Sequence, residues 1–314
     1  MRRIHTYHPI FLVFLLMAAF AGCRQEPLPE SGNAIRFSVD PSLVVDVETK
    51  AGPATDMTAG TVSLYGTTTS GTVFSGDALY YNTTADAWTY SPLRYWIPGE
   101  TYDFRAVFPE AADIQDGASA AKSGAIEVDY DSASQQIDLM VASSHDLSVS
   151  DTQAADPVEL VFDHACAAVR FLFKKSGNSS GTDCSITSFK FQNVNSTGTM
   201  TYAWDVSKDA LSWDTADPAD LFASTATWTV ETDFTCYDGW HYVLPQTLDG
   251  ATVEYKCTFG TDAAQTVTLN LPNVSWEPGK LYEYQINITI SKINVSIAAW
   301  TSYEVWVGDI PFPE

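Results

Sequence analysis

One nine-residue pattern occurs twice, 180 positions apart: Trp96-Ile97-Pro98-Gly99-Glu100-Thr101-Tyr102-Asp103-Phe104 and Trp276-Glu277-Pro278-Gly279-Lys280-Leu281-Tyr282-Glu283-Tyr284. Proline fixes φ at one position of a tight turn, and glycine accepts positive φ at the next. The alternating aromatic residues that follow point to one face of a strand leaving that turn. A turn-and-strand unit repeated inside two β-rich segments predicts two similar domains in tandem.

The length of 314 residues agrees, being that of about two ordinary domains. Hydrophobic residues make up 45%, enough for packed cores, and an aromatic share of 13% with abundant Thr and Val favours strands over helices. Lys and Arg number 16 against 39 Asp and Glu, a net charge of −23. That balance argues against nucleic acid and against electrostatic docking on anionic lipid, both of which need basic surface.

The first 22 residues read as a targeting segment. Arg2 and Arg3 supply the positive region, and Ile10 to Ala21 is an apolar run too short to span a bilayer. The run ends in Phe20-Ala21-Gly22-Cys23, which resembles a bacterial lipobox with Phe20 in place of the usual Leu. Cleavage before Cys23 would leave that cysteine as the lipid attachment point, and several acyl chains on one residue hold a protein stably on a membrane. Residues 23–33, polar and proline-bearing, then form a tether.

Strand patterns begin at Ile35, Phe37 and Val39, which alternate with Arg36 and Ser38. Further alternations or short apolar runs lie at Val62 to Tyr65, Ala78 to Tyr81, Tyr102 to Phe108, Ala125 to Tyr130 and Ile137 to Val141. Ser143 to Asp156 carries little apolar content, so the domains are expected at 34–150 and 151–314. In the second, Leu160 and Phe162 take even positions whereas Val169, Phe171 and Phe173 take odd ones; a β-bulge within 164–168 would reconcile them with one core. Tyr282, Tyr284, Ile286 and Ile288 form the cleanest alternation, and Lys208 to Phe222 is the best site for a short helix.

No constellation for chemistry stands out. His164-Ala165-Cys166 places a histidine and a thiol on the same strand face as Leu160 and Phe162, which reads as a core histidine rather than a nucleophilic pair. Asp214, Asp217 and Asp220 lie three apart, without the alternate ligands of a calcium loop, and read as a solvated acidic loop. Cys166, Cys184, Cys236 and Cys257 lack the spacing of a zinc or redox motif and read as buried thiols or one disulfide. No enzyme activity, metal or cofactor is expected.

Several of these features together resemble the fimbrillin (Mfa-like) family of Bacteroides-type fimbriae. They are the lipobox at Cys23, Thr49-Lys50-Ala51, Tyr95-Trp96 with Pro98-Gly99, Asp138-Leu139-Met140, Phe162-Asp163-His164-Ala165 and Tyr242-Val243-Leu244-Pro245-Gln246. Trp276 through Tyr284 and the closing Ile293-x-Val295 with Trp300 complete the set. The resemblance implies an all-β chain of two tandem transthyretin-like antiparallel β-sandwiches, exported as a lipoprotein of the outer membrane and built into a cell-surface fimbrium that supports adhesion.

It also implies a trypsin-like cut that removes the first strand, whose core-facing residues here would be Ile35, Phe37 and Val39. Lys50 and Arg36 are the basic residues where such a cut could fall; Lys50 fits a turn better, although stalk subunits of the family are typically cut after Arg. The vacated sheet edge would take the last strand of another subunit, here the stretch with Tyr303, Val305 and Val307. Partners would be other fimbrial subunits, the outer membrane through the acyl chains, and a host or bacterial surface ligand. The rival reading is a monomeric outer-membrane lipoprotein that binds glycans through exposed aromatics such as Trp88 or Trp240.

Overall fold

A computed structural model describes residues 33–41, 57–110, 113–114, 124–150, 156–176, 181–205, 208–289, 292–299 and 303–311. The fold is all-β: the described residues form strands β1 to β19 in chain order, with no helix among them. The first sheet has seven strands in the order β1 (Phe37–Pro41), β9 (Val158–His164), β8 (Met140–Ser148), β5 (Thr101–Phe108), β2 (Thr61–Thr68), β3 (Gly71–Asn82) and β4 (Ala87–Thr89). The second has five: β14 (Thr235–Val243), β10 (Ala167–Lys175), β17 (Leu281–Ile288), β18 (Lys292–Ala299) and β19 (Tyr303–Pro311). The third runs β16 (Gln265–Asn270), β15 (Thr252–Phe259), β11 (Cys184–Asp205), β7 (Ala125–Asp131) and β6 (Asp113–Ile114). The long arm β12 (Lys208–Ser224) and the short β13 (Trp228–Thr229) pair with β11 as well.

Alternation decides where the cores sit. Phe74, Phe104, Leu160 and Phe162 face the inside of the first sheet, which curls so that its two ends approach. Phe37 of β1 thereby meets Tyr90, just past β4, edge-to-face at 5.9 Å. The second core lies between the second and third sheets, where Phe171 meets Phe189 at 4.9 Å and Phe173 meets Tyr255 at 5.5 Å. A third cluster joins the two halves: Tyr65, Val107 and Val141 on the outside of the first sheet pack against Ile126, Val128, Met200 and Tyr202 of the third.

Two strands cross the boundary expected at 150/151. Strand β7 pairs with β11 in the third sheet, Val128 opposite Met200, while β9 pairs with β1 and β8 in the first. The change of phase near residue 166 marks this transfer. Leu160 and Phe162 serve the first core, Val169 and Phe171 the second, and the chain changes sheets through Ala165-Cys166, so no bulge is needed. The polar stretch from Ser143 to Ser148 is the second half of β8 and pairs with β5. The short helix expected at Lys208 to Phe222 is strand β12 instead, and Asp214, Asp217 and Asp220 lie along it. Its backbone pairs with the preceding strand β11 from Lys208 to Ser224, a hairpin whose ladder outweighs weak helical propensity.

A buried ionic cluster fastens the tip of the β11–β12 hairpin to the first sheet. Arg105 of β5 holds Asp209 of β12 through Nη2 at 2.7 Å and Nε at 2.9 Å. His145 of β8 reaches the other Asp209 oxygen at 2.5 Å and Asp103 at 3.0 Å.

Candidate assembly site

Residues 33–41 pair on one edge over 36–41 and on the other over 33–35. On one side β1 runs parallel to β9, Phe37 beside Val158 and Val39 beside Leu160, and the Val158 N–H donates to the Arg36 carbonyl at 2.7 Å. On the other, Ala34 bridges Tyr95; Ile35 N–H donates to Arg94 O at 2.9 Å and Trp96 N–H to Asn33 O at 3.0 Å. The Tyr90 hydroxyl donates to Ile35 O at 2.8 Å. This one segment therefore closes the gap between β9 and the stretch before the first Pro-Gly turn.

Its side chains plug the core behind that gap. Ile35 and Phe37 are buried and Val39 is half-buried, while Arg36, Ser38 and Asp40 are exposed. Phe37 sits edge-to-face against Phe74 at 5.7 Å and Phe104 at 5.3 Å. Removing the segment would leave an aromatic groove between two lines of unpaired backbone groups, a form ready to accept another strand.

Both Pro-Gly turns are built alike. The Tyr102 hydroxyl accepts from Ile97 N–H at 2.8 Å, and that of Tyr282 accepts from Glu277 N–H at 2.9 Å. Gly99 and Gly279 have φ of 87° and 67°, in the left-handed region the turn requires. Trp96 and Trp276 are buried beneath them in the first and second cores, so the repeat is scaffold.

At the other end of the chain, β19 lies on the rim of the second sheet and pairs antiparallel with β18, Val305 opposite Ile297 and Val307 opposite Val295. Tyr303 pairs with Ala299. Cys23 and Lys50 lie outside the described residues.

The sequence profile of the fimbrillin-like family matches residues 49–300. The chain belongs to the fimbrillin-like family. It is accordingly a structural protein associated with cell-surface fimbriae, not an enzyme. Two solved structures are similar to it in fold. One is a candidate cell adhesion protein from Bacteroides uniformis, with 17% identity and a TM-score of 0.53, covering 86% of this chain and 100% of that one. The other is a candidate cell adhesion protein from Bacteroides ovatus, with 14% identity and a TM-score of 0.53, covering 88% and 97%. No curated protein sequence matches the chain.

Elsewhere this fimbrillin-like protein offers little reactive chemistry. His164 is buried and its Nδ1 lies 2.8 Å from Asp138 Oδ1, so the ring is satisfied within the structure. Burial pushes the Cys166 thiol up, away from the thiolate that nucleophilic work needs. Cys166, Cys184, Cys236 and Cys257 are all free thiols. Trp240 is only 9% exposed, with the Arg170 guanidinium 4.5 Å from its ring centre, and Trp88 is half-buried against Tyr81. Trp240 therefore presents no open stacking face to a sugar, whereas Trp88 is only partly covered.

Sequence reasoning missed the other wall of the plug. Tyr90, Arg94 and Tyr95 hold residues 33–35, and nothing local in their pattern announces it, because the pairing spans about sixty positions of chain. It also missed His145, which lies in the apolar-poor stretch Ser143 to Asp156 yet is bound between Asp103 and Asp209.

Proposed function

We propose that this chain is a fimbrial subunit, stalk or accessory, made as an outer-membrane lipoprotein and assembled by β-strand exchange in support of adhesion. The observation that carries the reading is the double role of residues 33–41, which complete a sheet edge and fill an aromatic groove at once. In the proposed cycle the two domains are transthyretin-like sandwiches and Cys23 carries the acyl chains. A trypsin-like protease cuts after Lys50 and releases the whole plug. Arg36 is the poorer target, since its carbonyl accepts from Val158 and its neighbours Ile35 and Phe37 are buried. Tyr303, Val305 and Val307 of another subunit then supply the replacing strand.

The test is maturation in vitro. Purified chain treated with a trypsin-class protease is expected to lose everything up to Lys50 by mass spectrometry and to form fibres visible by electron microscopy. Cut protein that stays monomeric would sink the reading. In cells, Cys23→Ala should move the protein out of the membrane fraction.

A further inference from the structure

Four large hydrophobic side chains are exposed among the described residues: Tyr80, Tyr95, Ile97 and Val161. Three of them border the plug. Tyr95, 43% exposed, is the bridge partner of Ala34; Ile97, 56% exposed, follows two residues on; Val161, 44% exposed, pairs with Asp40 from the β9 side. The plug does not match these flanks, because its own outward residues are Arg36, Ser38 and Asp40.

The twin turn sharpens the contrast. The positions equivalent to Tyr95 and Ile97 are Ser275 and Glu277, exposed as well but polar. The same solvent-facing turn carries apolar residues only where it adjoins the plug.

Resting on the strand-exchange reading above, we propose that Tyr95, Ile97 and Val161 form the outer half of the acceptor site and recognise an apolar outward residue on the incoming strand. In a second copy of this chain that residue is Trp306. An extended strand that turns Tyr303, Val305 and Val307 toward the core turns Glu304 and Trp306 to the outer face. The indole then covers the flanks that the plug leaves wet, and the exchanged strand gains apolar contact that the strand it replaces does not have. This difference drives exchange forward and favours donors with an aromatic residue at that place.

The test compares unaltered full chain with Tyr95→Ser/Ile97→Glu, which installs the twin's residues, and with Trp306→Ser, each treated with a trypsin-class protease. Fibre yield by electron microscopy and sedimentation is expected to fall at least roughly tenfold in both variants, the scale of losing a central interface contact. Uncut variants should keep the thermal midpoint of the unaltered chain. If a midpoint falls, Ile97→Cys chains mixed with Trp306→Cys chains decide instead: a disulfide-linked dimer band after cutting and mild oxidation by oxidised glutathione supports the contact. Variants that form fibres as well as the unaltered chain, or cysteine mixtures that give no such band, overturn the inference and leave strand exchange standing. Cut, unaltered chain that forms no fibre overturns strand exchange itself and the inference with it.

Discussion

The indole N–H of Trp276 donates a 3.0 Å hydrogen bond to the hydroxyl of Tyr284 inside the second core. In the first core the equivalent pair is Trp96 and Phe104, with ring centres 6.0 Å apart, and the Trp96 indole N–H is buried without a partner. One hydroxyl separates the two buried pairs. Tyr284→Phe should therefore cost about 1–2 kcal/mol by orphaning the second indole, and Phe104→Tyr should stabilise by about 0.5–1 kcal/mol by serving the first. Thermal unfolding of the two variants checks both signs.

Asp209 ties the hairpin tip to the first sheet. Burial pushes its carboxyl up, but hydrogen bonds from His145 and Arg105 outweigh burial and hold it at about 2. An unfolded Asp titrates near about 4. Because the folded value is depressed, the contribution is fully present above the unfolded value and is lost as pH falls through about 2. Urea midpoints measured from pH 5 downward should drop across that window, and the drop should shrink in Asp209→Asn. Asp209→Ala should cost about 3–5 kcal/mol at neutral pH, since it leaves the Arg105 guanidinium buried without its carboxylate.

Burial raises the Cys184 thiol to about 12 and the Cys257 thiol to about 11, and pushes Cys166 up as well. At pH 8 a thiol reagent should label only half-buried Cys236 among these four cysteines in the folded chain. All four should react in denaturant. Peptide mapping of the labelled sites reads the result.

The plug is anchored by Phe37, which touches Phe74, Tyr90 and Phe104. Phe37→Ala should destabilise by about 3–5 kcal/mol, the usual cost of emptying an aromatic site. Its diagnostic effect is kinetic. The loosened segment should be cut at Arg36 as well as Lys50, which mass spectrometry of a timed digest separates.

Much of this was legible in the sequence because it is local. Pro-Gly with alternating aromatics specifies a turn and its exit strand, and Trp96 and Trp276 fall where that pattern puts them. Inward Ile35 and Phe37 were likewise readable from period-two alternation. Strand partners were not. Ala125–Asp131 alternates identically whichever sheet it joins, so nothing in it reveals that it pairs with β11. Strand β12 alternates between half-buried Leu211, Trp213 and Thr215 and exposed Ser212, Asp214 and Ala216, but Asp217, Pro218 and Asp220 follow and hide that pattern in the sequence. The pairing of Tyr95 with Ala34 was invisible for the same reason: a turn residue shows its partner only once the distant segment is folded against it.

The exchange of β7 and β9 between halves carries a mechanical consequence. The backbone passes between the two halves three times, before β6, after β7 and at Ala165-Cys166. Under the strand-exchange reading, a subunit pulled at its two ends thus has no single interdomain tether to extend. Tension entering through the first sheet is shared by the covalent crossing at Ala165-Cys166, the seven-residue seam of β7 on β11 and the Arg105–Asp209 ion pair. The halves must yield together or not at all.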